Sequence, residues 1–113
     1  RVFKTLAGRL AHSALVAAVI PVSSQLSMKL IAKAAGAKKA AMADRQTVQR
    51  SSGYVPGGVS PLGQKRALKT IIERSATTYE TIYVSAGRRG LELELSAQDL
   101  CALTKGQFSE LCQ

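Results

Sequence analysis

The uninterrupted apolar run at residues 14–22, Ala-Leu-Val-Ala-Ala-Val-Ile-Pro-Val, constrains the fold of this chain more than any other segment. It has no polar position to offer to water, so it reads as a buried strand, closed near its end by Pro21. The run is too short to cross a bilayer, which takes about twenty apolar residues in a helix. Arg1, Lys4 and Arg9 precede it, as basic residues precede the apolar part of a secretory leader. No A-x-A cleavage pattern follows, and no initiator Met comes before it. The abrupt start at Arg1 sets the expectation that the domain over residues 1–113 lacks its N-terminal portion.

A chain of 113 residues, 46% hydrophobic and 20% charged, is long enough for one core and reads as one globular domain. Only 4% of it is aromatic and there is no Trp, so the core is built from Val, Ile, Leu and Ala. The net charge of +9 is unevenly spread: twelve of the sixteen Lys/Arg lie before Thr70, where Asp44 is the one acid. Such an asymmetry suits a surface that faces a polyanion, and also suits a plain solubilising excess. Cys101 and Cys112 fit neither a redox C-x-x-C nor a zinc site, and His12 is the sole histidine. No metal or cofactor is expected. The two thiols read as small packed residues, reduced in an intracellular protein.

Residues 2–9 read as a first strand, with Lys4 on one face and Phe3 and Thr5 on the other. Residues 24–36 read as a helix, with Leu26, Leu30, Ile31 and Ala34 on one side, Lys29 and Lys33 opposite, and Gly36 as the stop. A short strand at 38–43 and a short helix capped by Asp44 and running through residue 50 follow. Residues 53–64, GYVPGGVSPLGQ, hold four glycines and two prolines and cannot be regular structure. Their apolar members predict a packed loop of fixed shape, the kind that carries function. Strands at 70–73 and 81–85 flank a polar turn. Residues 86–90 form a turn, and Leu-Glu-Leu-Glu-Leu at 91–95 alternates as a half-buried strand, completing an antiparallel hairpin. Ser96 caps a last helix with Asp99 in its first turn. The order predicts an α+β domain with a curved mixed β-sheet flanked by helices.

No phosphate-binding G-x-x-x-x-G-K-[ST] loop and no G-x-S-x-G nucleophile elbow is present. A hydrolase triad around His12 lacks a partner near it in sequence. Three features remain. Lys4 is a charge within a strand, either solvated or functional. In the loop, Gly57 and Gly58 let a ligand approach the backbone, and N–H groups there can meet a developing oxyanion; Val59, Ser60 and Pro61 follow, and Ser60 before proline is biased to an extended shape. Packed turns account for the same residues equally well. The third feature is Ser85-Ala86-Gly87-Arg88-Arg89-Gly90, where the forked guanidinium donors of two arginines suit phosphate, or merely sit in water at a hairpin tip. Lys38, Lys39, Lys65 and Arg66 extend a basic surface suited to an RNA backbone.

These segments together resemble the YbaK/prolyl-tRNA synthetase-associated editing domains. The resemblance rests on VFKTL at 2–6, PVSSQL at 21–26, AKAAGAKKAAM at 32–42, GYVPGGVSPLGQKR at 53–66 and TIYVSAGRRG at 81–90. The fourth and fifth are the specific ones, and they are closest to the free-standing Cys-tRNA(Pro) deacylase branch. The resemblance implies a curved, partly barrel-like mixed sheet and hydrolysis of the ester joining an amino acid to the terminal adenosine of tRNA. It implies Lys4 as the essential lysine, holding that adenosine or its phosphate. It places Gly57, Gly58, Val59 and Ser60 around the aminoacyl carbonyl, with the Gly58 N–H and Ser60 polarising it. It adds Pro61, Gly87, Arg88 and Glu92 as substrate-binding positions, Glu92 standing where related sequences commonly have Asp. It implies attack by the substrate's own thiol, aminoacyl-tRNA as partner, prolyl-tRNA synthetase alongside, a cytoplasmic setting and no membrane. Neither cysteine falls in a matching motif.

Three other readings stay open at this point: editing of another small amino acid such as alanine on tRNA(Pro), a non-catalytic tRNA-binding module, and an inactive fragment.

Overall fold

The apolar run becomes the strand around which the rest of the chain is arranged. A computed structural model describes residues 1–10, 14–44, 61–62, 68–88 and 90–113. Its strands are β1 (Phe3–Leu10), β2 (Leu15–Pro21), β3 (Ala40–Met42), β4 (Lys69–Glu73), β5 (Ile82–Arg88), β6 (Leu91–Leu95) and β7 (Gln107–Ser109). Its helices are α1 (Met28–Ala35) and α2 (Ala97–Thr104), with a 3-10 turn at Arg74–Thr78. β2 is buried at every position from Val16 to Ile20. It pairs antiparallel with β1, from Phe3↔Pro21 to Arg9↔Leu15, and parallel with β4. β3 adds to the free side of β1 and β7 to that of β4, giving a mixed sheet of order β3-β1-β2-β4-β7.

A strand with two apolar faces needs cover on both, and the sheet has it. On one face Val19, Phe3 and Ile72 pack with Ile82, Val84, Ala76, Ala97 and Leu100 from the β5–β6 ribbon, the 3-10 turn and α2. On the other, Val16, Ala18, Ile20 and Ile71 pack with Ile31 of α1, Leu26 and Leu111. The ribbon is a second, two-stranded sheet. It joins the first at a parallel bridge, Val2↔Tyr83, where the Tyr83 N–H donates to the Arg1 carbonyl at 3.1 Å. The architecture is the expected mixed sheet with outer helices, and its strands do not close into a barrel.

Both helices begin and end on specific side chains. The Ser27 hydroxyl accepts from the Leu30 N–H at 3.2 Å, and Gly36 ends α1 at φ 73°. α1 therefore starts at Met28, four residues later than Ser24, because Leu26 is held extended in a bridge with Cys112. Ser96 caps α2 by accepting from the Asp99 N–H at 3.1 Å, as its sequence position predicts.

Three local expectations are corrected. β5 does not stop at Ser85 but continues to Arg88 through an irregularity in register between Ser85 and Arg88, with Gly87 at φ 107°. Residues 91–95 do form the hairpin's second strand, yet Leu91 and Leu93 are 46% and 40% exposed rather than half-buried. The ribbon has only two strands, so β5 presents Ile82 and Val84 to the core while β6 forms its outer edge. β7 was not anticipated, since Gln-Phe-Ser carries no period. His12, the helix expected over 45–50 and residues 53–60 lie outside the described residues, as do 63–67. Of the Gly/Pro segment, Pro61 is buried and Leu62 packs against the first core cluster.

Candidate functional site

The site follows from the way β1 leaves the sheet and meets the ribbon. Side chains alternate along a strand, so Val2, Lys4 and Leu6 share one face of β1 while Phe3 and Thr5 turn to the core. At the Val2↔Tyr83 bridge β1 runs parallel to β5. Across the ribbon, Tyr83 is paired with Glu94 and Ser85 with Glu92. Paired residues in a sheet point to the same side. Two rows of side chains result: Val2, Tyr83 and Glu94 in the first, and Lys4, Ser85 and Glu92 two residues further along each strand.

The first row is closed by the protein itself. The Arg1 guanidinium bonds Glu94 at 2.6 Å and Thr81 Oγ1 at 2.9 Å, and lies 5.0 Å above the Tyr83 ring. The Thr81 hydroxyl also donates to Glu94. That hydroxyl, with Arg1 beside it, holds the Glu94 carboxyl below its ordinary value.

The second row is open. Val2, Phe3, Lys4, Thr5, Leu6, Val22, Ser85, Gly90, Leu91 and Glu92 line a cleft of about 330 Å³. That is the lower end of the range in which proteins hold small ligands. Lys4 is half-buried on its wall, and Glu92 stands exposed across from it. Among the described residues neither has a hydrogen bond or an ion pair. Ser85 lies on the strand between them, and its Oγ accepts from the Gly87 N–H at 3.3 Å, which steadies the bulged backbone there. Thr5, 8% exposed, has a hydroxyl without a hydrogen-bond partner at the cleft's inner edge.

The structure thus brings together Lys4 and Glu92 of the residues singled out from sequence. Gly87 occupies the β5 bulge beside the cleft and is not part of its lining. Arg88 ends β5. Pro61 is buried and does not line the cleft. Gly57, Gly58, Val59 and Ser60 lie outside the described residues. Sequence reasoning included Ser85 in the Gly/Arg turn but gave it no role of its own, and it missed Thr5, Val22 and Leu91 as lining residues. Only the meeting of the start of β1 with β5 at Val2↔Tyr83, 81 residues apart in sequence (83 − 2), brings them to one place.

The cleft holds no thiol or imidazole among its described lining residues. Cys101 packs against the first core cluster and Cys112 against the second. Burial, with the Glu73 carboxylate nearby, pushes the Cys112 thiol up. No group of three or more metal-ligating side chains occurs among the described residues. No helix among them is long and apolar enough to cross a membrane.

Comparison with known proteins adds to this geometry. Residues 1–103 match the family of the aminoacyl-tRNA editing domain. Over 111 residues the chain is 40% identical to EbsC of Enterococcus faecalis, named as a Cys-tRNA(Pro)/Cys-tRNA(Cys) deacylase; the match covers 98% of this chain and 68% of EbsC. Among solved structures, hypothetical protein APE2540 superposes with a TM-score of 0.91 at 24% identity, over 99% of this chain and 74% of that one. A protein designated a trans-editing enzyme for prolyl tRNA synthetase superposes with a TM-score of 0.89 at 19% identity, over 99% of this chain and 70% of that one. At those identities the two structures speak for the fold.

Proposed function

This chain belongs to the aminoacyl-tRNA editing domain family, and from that premise we propose that it removes cysteine from mischarged tRNA(Pro), and from Cys-tRNA(Cys) as well. In this reading the deacylase works in the cytoplasm. The amino-acid assignment is supported by its 40% identity to a relative named for those two substrates. Such an enzyme answers a physical problem: cysteine is close to proline in size, and a synthetase pocket rejects a near-isostere only weakly.

One observation carries the mechanism: the cleft offers a lysine and hydroxyls, yet no cysteine or histidine among its described lining. Together with the resemblance to the Cys-tRNA(Pro) deacylases, that lining supports the substrate's own thiol as the nucleophile. Its sulfur attacks the acyl carbon, the bond from that carbon to the ribose oxygen breaks, and the thiol proton ends on the ribose oxygen. The products are free tRNA and a cyclic thioester, which water opens to cysteine. Lys4 holds the terminal adenosine or its phosphate as a point charge. The Gly58 N–H and Ser60 polarise the acyl carbonyl, with Gly57 and Val59 shaping the loop around it. Prolyl-tRNA synthetase is the expected companion, supplying the choice of tRNA that a charge-based surface does not make.

The test is Lys4→Ala. Turnover of Cys-tRNA(Pro) is lost while tRNA binding, measured by filter retention, persists. A variant that kept the wild-type rate would remove Lys4 from the site.

A further inference from the structure

Two charges of opposite sign, neither side chain paired among the described residues, face one cleft, and we infer that Glu92 receives the α-ammonium group of the aminoacyl moiety while Lys4 takes the phosphate side of the same substrate. The inference rests on the deacylase reading above and assigns a role within that site.

The contrast between two glutamates carries it. Glu92 and Glu94 lie on the same face of β6. Glu94 is taken up by Arg1 and Thr81, contacts that link the start of β1 to the ribbon. Glu92, one row along, has no hydrogen bond or ion pair among the described residues, although Lys4 lines the same cleft. β5 lies between their strands, and two strand spacings amount to about 10 Å of backbone separation. A ligand that bridges them must carry a cation at one end and an anion at the other. The 3′ end of an aminoacyl-tRNA has that polarity: an α-ammonium on the amino acid, then the ester, then the ribose and its 5′-phosphate. The apolar rim of Val2, Val22 and Leu91, each 40–50% exposed, gives the uncharged middle of such a ligand a surface to cover.

The competing role for Glu92 is general base, drawing a proton from an attacking water. The two roles respond differently to blocking the amine. We would compare Cys-tRNA(Pro) with N-acetyl-Cys-tRNA(Pro) on wild type, Glu92→Gln and Glu92→Asp. A carboxylate that bonds the ammonium makes wild type prefer the free amine by about tenfold in kcat/KM, within the range for hydrogen bonds to charged groups. Glu92→Gln brings the ratio toward one by losing rate on the free amine only, and Glu92→Asp keeps part of the preference. A ratio unchanged in Glu92→Gln, or equal losses on both substrates, overturns the assignment.

A second measurement does not depend on turnover. The amide analogue 3′-cysteinylamino-3′-deoxyadenosine 5′-phosphate is titrated against its N-acetyl form by calorimetry. Tighter binding of the free amine, lost in Glu92→Gln, supports the assignment. Equal binding of the two forms refutes it. If the amine is preferred while wild type releases no amino acid from any tRNA, the deacylase reading fails and the ammonium site stands.

Discussion

Glu73 is the most informative single position for the stability of this fold. Its side chain is only 7% exposed, at the end of the central parallel strand. One carboxylate oxygen accepts from the Ser75 N–H at 2.7 Å and the other from the Leu111 N–H at 3.3 Å. It thereby starts the 3-10 turn and fixes the C-terminal segment, whose Leu111 is fully buried in the second core cluster. Glu73→Ala removes both acceptors and leaves two N–H groups without partners in or near the core. The short bond is worth about 2 kcal/mol and the long one about 1, so with the small cavity the loss comes to roughly 3–4 kcal/mol. Glu73→Gln keeps one acceptor but turns an NH2 toward the other N–H, for a loss of about 2 kcal/mol. Domains of this size hold about 5–15 kcal/mol in all, and each kcal/mol moves Tm by about 4 °C. Urea unfolding followed by circular dichroism gives the values. The order wild type, Gln, Ala is expected. An alanine variant within about 1 kcal/mol of wild type would refute the reasoning, because the carboxylate's desolvation would then have cancelled its bonds.

Three further outcomes follow from particular contacts. Gly106→Ala places a methyl 2.8 Å from the Thr70 carbonyl oxygen, a backbone atom that cannot step aside, and should cost about 1–3 kcal/mol by urea unfolding. Thr5→Val replaces a buried hydroxyl that has no partner by a methyl of equal size, and should raise stability by up to about 1 kcal/mol in the same assay. Burial and Glu73 push the Cys112 thiol up, so the folded chain holds that proton more firmly than the unfolded chain. This contribution is whole below the ordinary thiol value and fades as pH climbs through the raised one. Urea midpoints should therefore fall more between about pH 8 and about pH 10 for wild type than for Cys112→Ala.

Much of the architecture was legible because it rests on local pattern. The apolar run of β2, the alternation of β1 about Lys4, the Gly36 stop and the Ser96 cap each declare themselves within a few residues. The start of α1 did not, since Ser23, Ser24 and Ser27 are all plausible caps and the choice is made by the distant pairing of Leu26 with Cys112. Leu91 and Leu93 misled because alternation shows that a strand has two faces, not that a layer exists to cover one. The site divides in the same way. Lys4 and Glu92 stood out by charge and by resemblance. Ser85 and the apolar rim come to the cleft only through the meeting of β1 with β5, which no local pattern records. The closure of the first row by Arg1, which distinguishes Glu94 from Glu92, is equally a long-range fact.

The account's central claim is that the substrate's own thiol does the work in a cleft whose described lining holds no cysteine or histidine. The direct test is the rate of amino-acid release from Cys-tRNA(Pro), Ala-tRNA(Pro) and Pro-tRNA(Pro) by the same chain. Rapid release of cysteine, with alanine and proline left in place, is the predicted result. Release of alanine as fast as cysteine would contradict it, because alanine has no thiol to attack its own ester.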